Sequence, residues 1–170
     1  ILSIQSHVAY GYVGNRAAVF PLQRMGFDVT AINTVQFSNH TGYGTWEGDV
    51  FSADHIRDVI KGIKNKVEHI DGLISGYLGD SEIGDVNLET IEDFSIDIYA
   101  CDPVMGDVGR GFFVRERIPN FFREKALSKA HIITPNQFEL SHLSGISIKT
   151  LQDAKRACST LHKFGPEIIL

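Results

Sequence analysis

The sequence predicts an α/β fold: a mostly parallel sheet flanked by helices on both faces. Three observations carry the α/β part. Short β-branched or apolar runs alternate with longer amphipathic segments, each amphipathic segment has one apolar face, and no hairpin signal joins consecutive strands. Strand, helix, strand without hairpins implies right-handed crossovers and parallel neighbours.

In chain order, Ile1 to Ile4 reads as the first strand. Arg16 to Met25 reads as a helix with Asn15 as its N-cap and Gly26 as its stop. Val29 to Val35 is the second strand. Ala53 to Lys66 sets Ile56, Val59, Ile60 and Ile63 at helical spacing behind Ser52. Gly72 to Ser75 is a strand. A helix through Ile91, Glu92, Asp93 and Phe94 meets the strand Ile96 to Cys101 with almost no room for a turn, so residues are expected to be absent at that join. His131 to Thr134 is a strand leading into a helix whose first turn holds Glu139. Leu151 to Phe164 sets Leu151, Ala154, Cys158 and Leu161 on one face before Gly165-Pro166, and Glu167 to Leu170 reads as a buried strand. The sequence starts without methionine and stops inside that strand, so residues 1–170 are expected to be part of a longer chain. No repeat, low-complexity tract or linker divides them.

Composition narrows the function classes. With 43% hydrophobic residues the chain can bury one core of ordinary size. Its 16 basic and 21 acidic residues give a net charge of −5, with no basic block, which speaks against nucleic acid as a partner. No apolar run approaches the roughly 18 residues of a membrane span. Cys101 and Cys158 fit neither a paired metal motif nor a disulfide framework, and are expected to be reduced thiols in a cytoplasmic protein.

In an open parallel sheet, ligands bind beyond the carboxyl ends of the strands. There the sequence places Ser6 and His7, Asn33 and Thr34, Ser75-Gly76-Tyr77, Asp102-Pro103, and Thr134-Pro135-Asn136. Gly11 and Gly14 allow a close backbone approach, although the run is neither a dinucleotide fingerprint nor a Walker loop, and a plain glycine turn would look the same. Gln36 to Gly44 mixes aromatics, donors and glycine and suits a flat aromatic ligand; a surface loop with Phe37 buried is the plainer account. Asp102 and Asp107 beside Gly109 and Gly111 suit magnesium and polyphosphate, where a cap and a turn would also serve. Asn136 and Glu139 have capping-box spacing, and Glu139 could instead position a metal-bound water. The seven histidines show no zinc-protease pattern, and no serine sits in a hydrolase elbow. His55, His69 and His162 read as surface residues.

The runs Ser3 to His7, Gly11 to Asn15, Asn33 to Tyr43, Ser75 to Tyr77, Cys101 to Asp107 and Thr134 to Glu139 together closely resemble pyridoxal kinases of the ribokinase-like superfamily. The stretch from Phe37 to Tyr43 carries the pyridoxal-kinase likeness, whereas the acidic motifs mark only the wider superfamily. The resemblance implies transfer of the γ-phosphoryl of ATP to the 5′-hydroxymethyl of pyridoxal, pyridoxamine or pyridoxine. Ser6 would bond the pyridine ring, and Val13, Phe37, His40, Thr41, Gly42 and Tyr77 would line or approach the vitamer pocket. Asp102, Asp107, Thr134 and Glu139 would serve ATP, its Mg²⁺ and a monovalent cation, K⁺ or Na⁺. Of these, Asp102 and Glu139 would act on Mg²⁺ through water. Gly106 to Val114 resembles the family's cover over ATP, and a homodimer is expected from the resemblance alone.

The family's general base is an aspartate in a glycine-rich segment that has no counterpart before Leu170. Residues 1–170 are therefore expected to be an incomplete kinase domain, inactive by itself. The alternatives are a hydroxymethylpyrimidine-type kinase of the same superfamily, against which the Phe37 to Tyr43 run argues, and a non-catalytic B6-binding protein.

Overall fold

A computed structural model describes residues 1–170. In chain order its elements are β1 (Leu2–Tyr10), α1 (Asn15–Arg24), β2 (Thr30–Asn39), β3 (Gly48–Val50), α2 (Ala53–Lys64), β4 (Gly72–Ser75), α3 (Ser81–Asp93), β5 (Ile98–Cys101), β6 (Gly106–Asp107), β7 (Gly111–Phe112), α4 (Arg117–Phe121), β8 (Ile132–Ile133), α5 (Gln137–Ser144), α6 (Leu151–Leu161) and β9 (Ile168–Ile169). Seven strands form one sheet in the order β3-β2-β1-β4-β5-β8-β9, parallel throughout except for β3, and β6 and β7 form a separate two-stranded flap. The predicted α/β class and parallel sheet are what is found.

The two faces of the sheet are covered unequally. Leu2, Ile4, Leu73, Tyr99, Cys101 and Ile133 share a core with Ile56 and Ile60 of α2, Ile83 and Val86 of α3, Phe121 of α4, Leu143 of α5 and Leu161 of α6. Alternate strand residues point the other way. On that side Ser3 meets α1 through Asn15, and the register runs Ser3, Ile74, Ala100, Ile132, Ile168, with Ile98 beside Gly72. No helix of residues 1–170 other than α1 lies there, and Ile98 is 52% exposed. Helices do occupy both faces, but five stand against one.

Several predicted boundaries move. The first two strands run on to Tyr10 and Asn39, so Ser6, His7 and Phe37 lie within strands instead of at their ends or in a loop. The extension has its own support: Val8, Val35 and Phe37 form a second small core, and β3 folds back antiparallel onto Val35 to Phe37. A register shift between Gln5 and His7 marks a β-bulge beside Ser6. Ser52 caps α2 as predicted, accepting from the His55 amide, and Gly26 ends α1 with φ 94°. Val59 and Leu151, expected on apolar helix faces, are exposed at 36% and 73%.

Asn15 does not cap α1. Gly14 occupies the cap position without a side-chain bond, while Asn15 is buried. At the join after α3 no residues need to be supplied: the Ser95 amide donates to the Glu92 carbonyl, the Ile96 amide donates to the Ile91 carbonyl, and Ser95 takes φ 51°. This is a Schellman turn with serine in place of the usual glycine, and the strand begins two residues later than predicted, at Ile98.

Candidate functional site

The carboxyl ends of β1, β2, β4 and β5 enclose a cavity of about 290 Å³. Gln5, Ser6, Val8, Val13, Gly14, Phe37, Asn39, His40, Thr41, Tyr77, Asp102, Val104 and Phe113 line it. Of the residues expected around a vitamer, Ser6, Val13, Phe37, His40, Thr41 and Tyr77 are all brought to its wall. Gly42 is not. It lies behind His40, donating its amide to His40 Nδ1 at 3.2 Å.

Local chemistry explains the shape of the wall. Phe37 is buried and stacks on Trp46 with centroids 4.2 Å apart, which fixes one apolar side. Thr34 donates its hydroxyl to the Tyr77 carbonyl at 2.7 Å, tying the end of β4 to β2. Under the floor, Ser3 Oγ donates to Asn15 Oδ1 at 2.7 Å and Gln5 Nε2 donates to Ser3 Oγ at 2.9 Å. Asn15 Nδ2 faces the Ile32 carbonyl and Asn33 Oδ1, both at 2.9 Å, and the Gln5 carbonyl at 3.4 Å. This buried network roots α1, and with it Gly14 and Val13, onto the two strands that carry Ser6 and Phe37.

The acidic residues divide. Asp102 reaches the cavity, and burial pushes its carboxyl above the usual range while the Thr134 hydroxyl bonds it and pulls the other way. Glu139 is buried. Its Oε1 accepts the Met105 amide at 3.0 Å and its Oε2 accepts the Asn136 amide at 2.9 Å. Burial raises the Glu139 carboxyl most, those amides lower it, and the charge of Asp102 raises it again. Asp102, Thr134 and Glu139 therefore form one electrostatic group at the edge of the cavity. Asp107 is not brought into it; exposed on the flap, it accepts the Val108 amide at 2.7 Å. The capping box of Asn136 and Glu139 is present, so the plainer account of Glu139 holds, whatever else the residue does.

Asp102 and Glu139 fit a magnesium ion that keeps most of its water. Asp102 is a half-buried and Glu139 a buried oxygen donor, the ionised form of each is disfavoured by its surroundings, and a divalent cation relieves that. No three acidic, histidine or cysteine side chains converge within residues 1–170. Burial pushes the thiol of Cys101, beside Asp102, up to about 12, which disfavours its thiolate. Both cysteines are unpaired, as expected, and no helix is long and apolar enough to cross a membrane.

Sequence reading missed Gln5, Val8, Gly14, Asn39, Val104 and Phe113 as lining residues. Gly14 was visible as a glycine near a strand end. Val104 and Phe113 carry no such signal, because only the flap's two short strands bring Phe113 over the cavity.

The family model described as phosphomethylpyrimidine kinase matches residues 22–170. The pyridoxal kinase PdxY of Rubrobacter xylanophilus is 49% identical over 100% of this chain and 61% of its own length, and that of Granulibacter bethesdensis is 49% identical over 100% and 63%. The solved pyridoxal kinase of Leishmania donovani with ADP and pyridoxamine superposes with TM-score 0.91 at 37% identity, covering 99% of this chain and 62% of that one. The chain thus spans about three fifths of the length of these relatives. With a model match over most of its residues and the sheet order described above, the chain belongs to the phosphomethylpyrimidine kinase family, within the ribokinase-like fold.

Proposed function

We propose that the protein transfers the γ-phosphoryl of ATP to the 5′-hydroxymethyl of pyridoxal, pyridoxamine or pyridoxine, and that residues 1–170 form the vitamer-side part of its kinase domain. The observation that carries this is the convergence of Ser6, Val13, Phe37, His40, Thr41 and Tyr77 on one cavity that Asp102 also lines. Likeness to pyridoxal kinases over the whole chain supports the choice of substrate.

The chain's own residues do three things in this reading. Val8, Val13 and Phe37 exclude water from the ring of the vitamer, while Ser6, His40 and Thr41 offer it hydrogen bonds. Asp102, held by Thr134, faces the nucleotide side, and Asp102 and Glu139 are the residues that would hold magnesium through its waters. Magnesium, when bound, neutralises phosphate charge as it develops. The flap excludes water from the phosphates. No residue here is assigned the general base, and phosphoryl transfer depends chiefly on positioning and charge. A monovalent cation, K⁺ or Na⁺, on the nucleotide side, a homodimer and a cytoplasmic location belong to the same proposal.

The test is formation of pyridoxal 5′-phosphate by the complete protein with Mg-ATP and pyridoxal, with hydroxymethylpyrimidine in parallel. Preferential turnover of pyridoxal is expected. Turnover of hydroxymethylpyrimidine alone would favour the second reading, to which the description of the matching family model points. Pyridoxal binding without turnover would leave a B6-binding protein.

A further inference from the structure

One side chain of the cavity wall is held with its acceptor bare. Gln5 lines the cavity and is only 8% exposed. Its Nε2 donates to Ser3 Oγ at 2.9 Å, while no group of residues 1–170 donates to its Oε1. The Gly76 amide, at the end of β4 beside this oxygen, donates to the Ile4 carbonyl instead. A Cβ on residue 76 would stand 2.7 Å from Oε1, so glycine there leaves the oxygen its room. Asn87 also carries an unbonded amide, but both of its polar atoms are sealed from solvent, whereas Gln5 Oε1 is not. The surface that Gln5 retains belongs to the cavity wall.

The orientation of this amide follows from the network beneath it. Asn15 Nδ2 faces the Ile32 carbonyl, which can only accept, so Oδ1 is the atom that faces Ser3. Ser3 has one hydroxyl proton and gives it to Asn15 Oδ1 at 2.7 Å. Towards Gln5 the Ser3 oxygen can then only accept, which turns the glutamine NH₂ down to Ser3 and leaves the amide oxygen by Gly76. A glutamine free to turn offers either a donor or an acceptor. Gln5 offers an acceptor alone. A purely structural role, propping Ser3 inside β1, would use the NH₂ and leave a largely buried oxygen unmatched.

We propose that Gln5 is a substrate-binding residue whose Oε1 accepts a hydrogen bond from a hydroxyl of the bound vitamer. This rests on the vitamer reading of the cavity, and it adds to Ser6, His40 and Thr41 a contact of fixed polarity. A ligand of the same shape whose group at that point could only accept would set oxygen against oxygen and be disfavoured.

The experiment is calorimetric titration of the complete protein with pyridoxine, which carries hydroxyls and no aldehyde to react with lysines, and separately with ADP. Gln5→Met keeps the length of the side chain and removes both amide atoms. Gln5→Glu keeps the acceptors but loses the NH₂ that props Ser3. Gln5→Met is expected to weaken pyridoxine about tenfold and ADP less than about twofold, with Gln5→Glu within about threefold of the parent for pyridoxine. A structural role predicts the opposite order, since both variants lose the bond to Ser3 and the carboxylate faces its oxygen. Unchanged pyridoxine affinity in Gln5→Met, equal weakening of pyridoxine and ADP, or a loss in Gln5→Glu as large as in Gln5→Met overturns the proposal. Should Gln5→Met not fold, Gln5→Glu decides: tenfold weakening of pyridoxine overturns it and near-parent affinity supports it. A parent that does not bind pyridoxine removes the vitamer reading and this inference together; a parent that binds it without regard to Gln5 removes the inference alone.

Discussion

Gly14 presses against Ser6: a Cβ on residue 14 would stand 2.5 Å from the Ser6 hydroxyl, and the Gly14 backbone itself is at φ 55°, ψ −137°. Both facts demand glycine, one through space and one through conformation. Gly14→Ala is therefore expected to push the Ser6 hydroxyl out of place, weakening pyridoxine binding at least about tenfold and lowering stability by about 1–3 kcal/mol. Calorimetric titration and urea unfolding read the two effects, and parent-like pyridoxine affinity would show that Ser6 does not set it.

Asn15 bonds four polar groups of β1 and β2: the Ser3 hydroxyl, the Gln5 and Ile32 carbonyls and Asn33 Oδ1. Asn15→Ala is expected to cost about 2–4 kcal/mol, because Ser3 and the facing oxygens lose their partner. Asn15→Asp should be worse despite its similar size: three of the four contacts are donated by Nδ2 to oxygens, and a carboxylate would face them with like charge. Denaturant midpoints of the two variants check the order, and an aspartate variant as stable as the alanine variant would contradict it.

Asp102 is held above its ordinary range by burial, the reverse of a salt-bridged carboxylate. A folded-state value above the unfolded one means the native state binds the extra proton. Its contribution is then most favourable below the unfolded value, near pH 4, and is lost as pH rises through the folded value. Metal-free protein should lose stability through that window, and Asp102→Asn should lose less of it. The same variant should turn over at least about tenfold more slowly while keeping its pyridoxal affinity, since the charge serves the nucleotide side. Thermal unfolding across pH 4 to 8 in a chelator, with kinetics beside it, tests both halves; identical pH profiles for parent and variant would dismiss the burial account.

Glu139 accepts one backbone amide on each oxygen. In Glu139→Gln one of those amides would meet an NH₂ instead. Neutralising the group relieves its desolvation, but orphaning a buried donor costs about 1–3 kcal/mol, so a net loss of melting temperature at pH 7 is expected. A rise would mean that the buried charge outweighs the capping box.

Legibility in the sequence followed apolar period and punctuation. Ser52, Gly26 and the β-branched runs marked α2, the end of α1 and the central strands, because one local signal decided each. Helix α3 was seen only at its end, since its buried face carries Gly84, Asn87 and Thr90 and so breaks the apolar period. The flap strands have two residues each, too few for alternation to register. Asn15 looked like a cap because the type and position fit, and only the neighbouring strands reveal that its partners lie below it. Six of the seven predicted pocket residues reached the cavity wall, as strand ends converge by topology. Phe113 arrives there through tertiary placement alone.

The uneven coverage of the sheet bears on how these 170 residues would behave in a tube. Ile74, Ile98, Ala100, Ile132 and Ile168 form a greasy plate beside α1 with nothing from this segment laid over it. Two plates pressed together would shield each other, so a preparation limited to residues 1–170 is expected to associate as its concentration rises. Its scattering would report on that plate before any titration reported on the cavity.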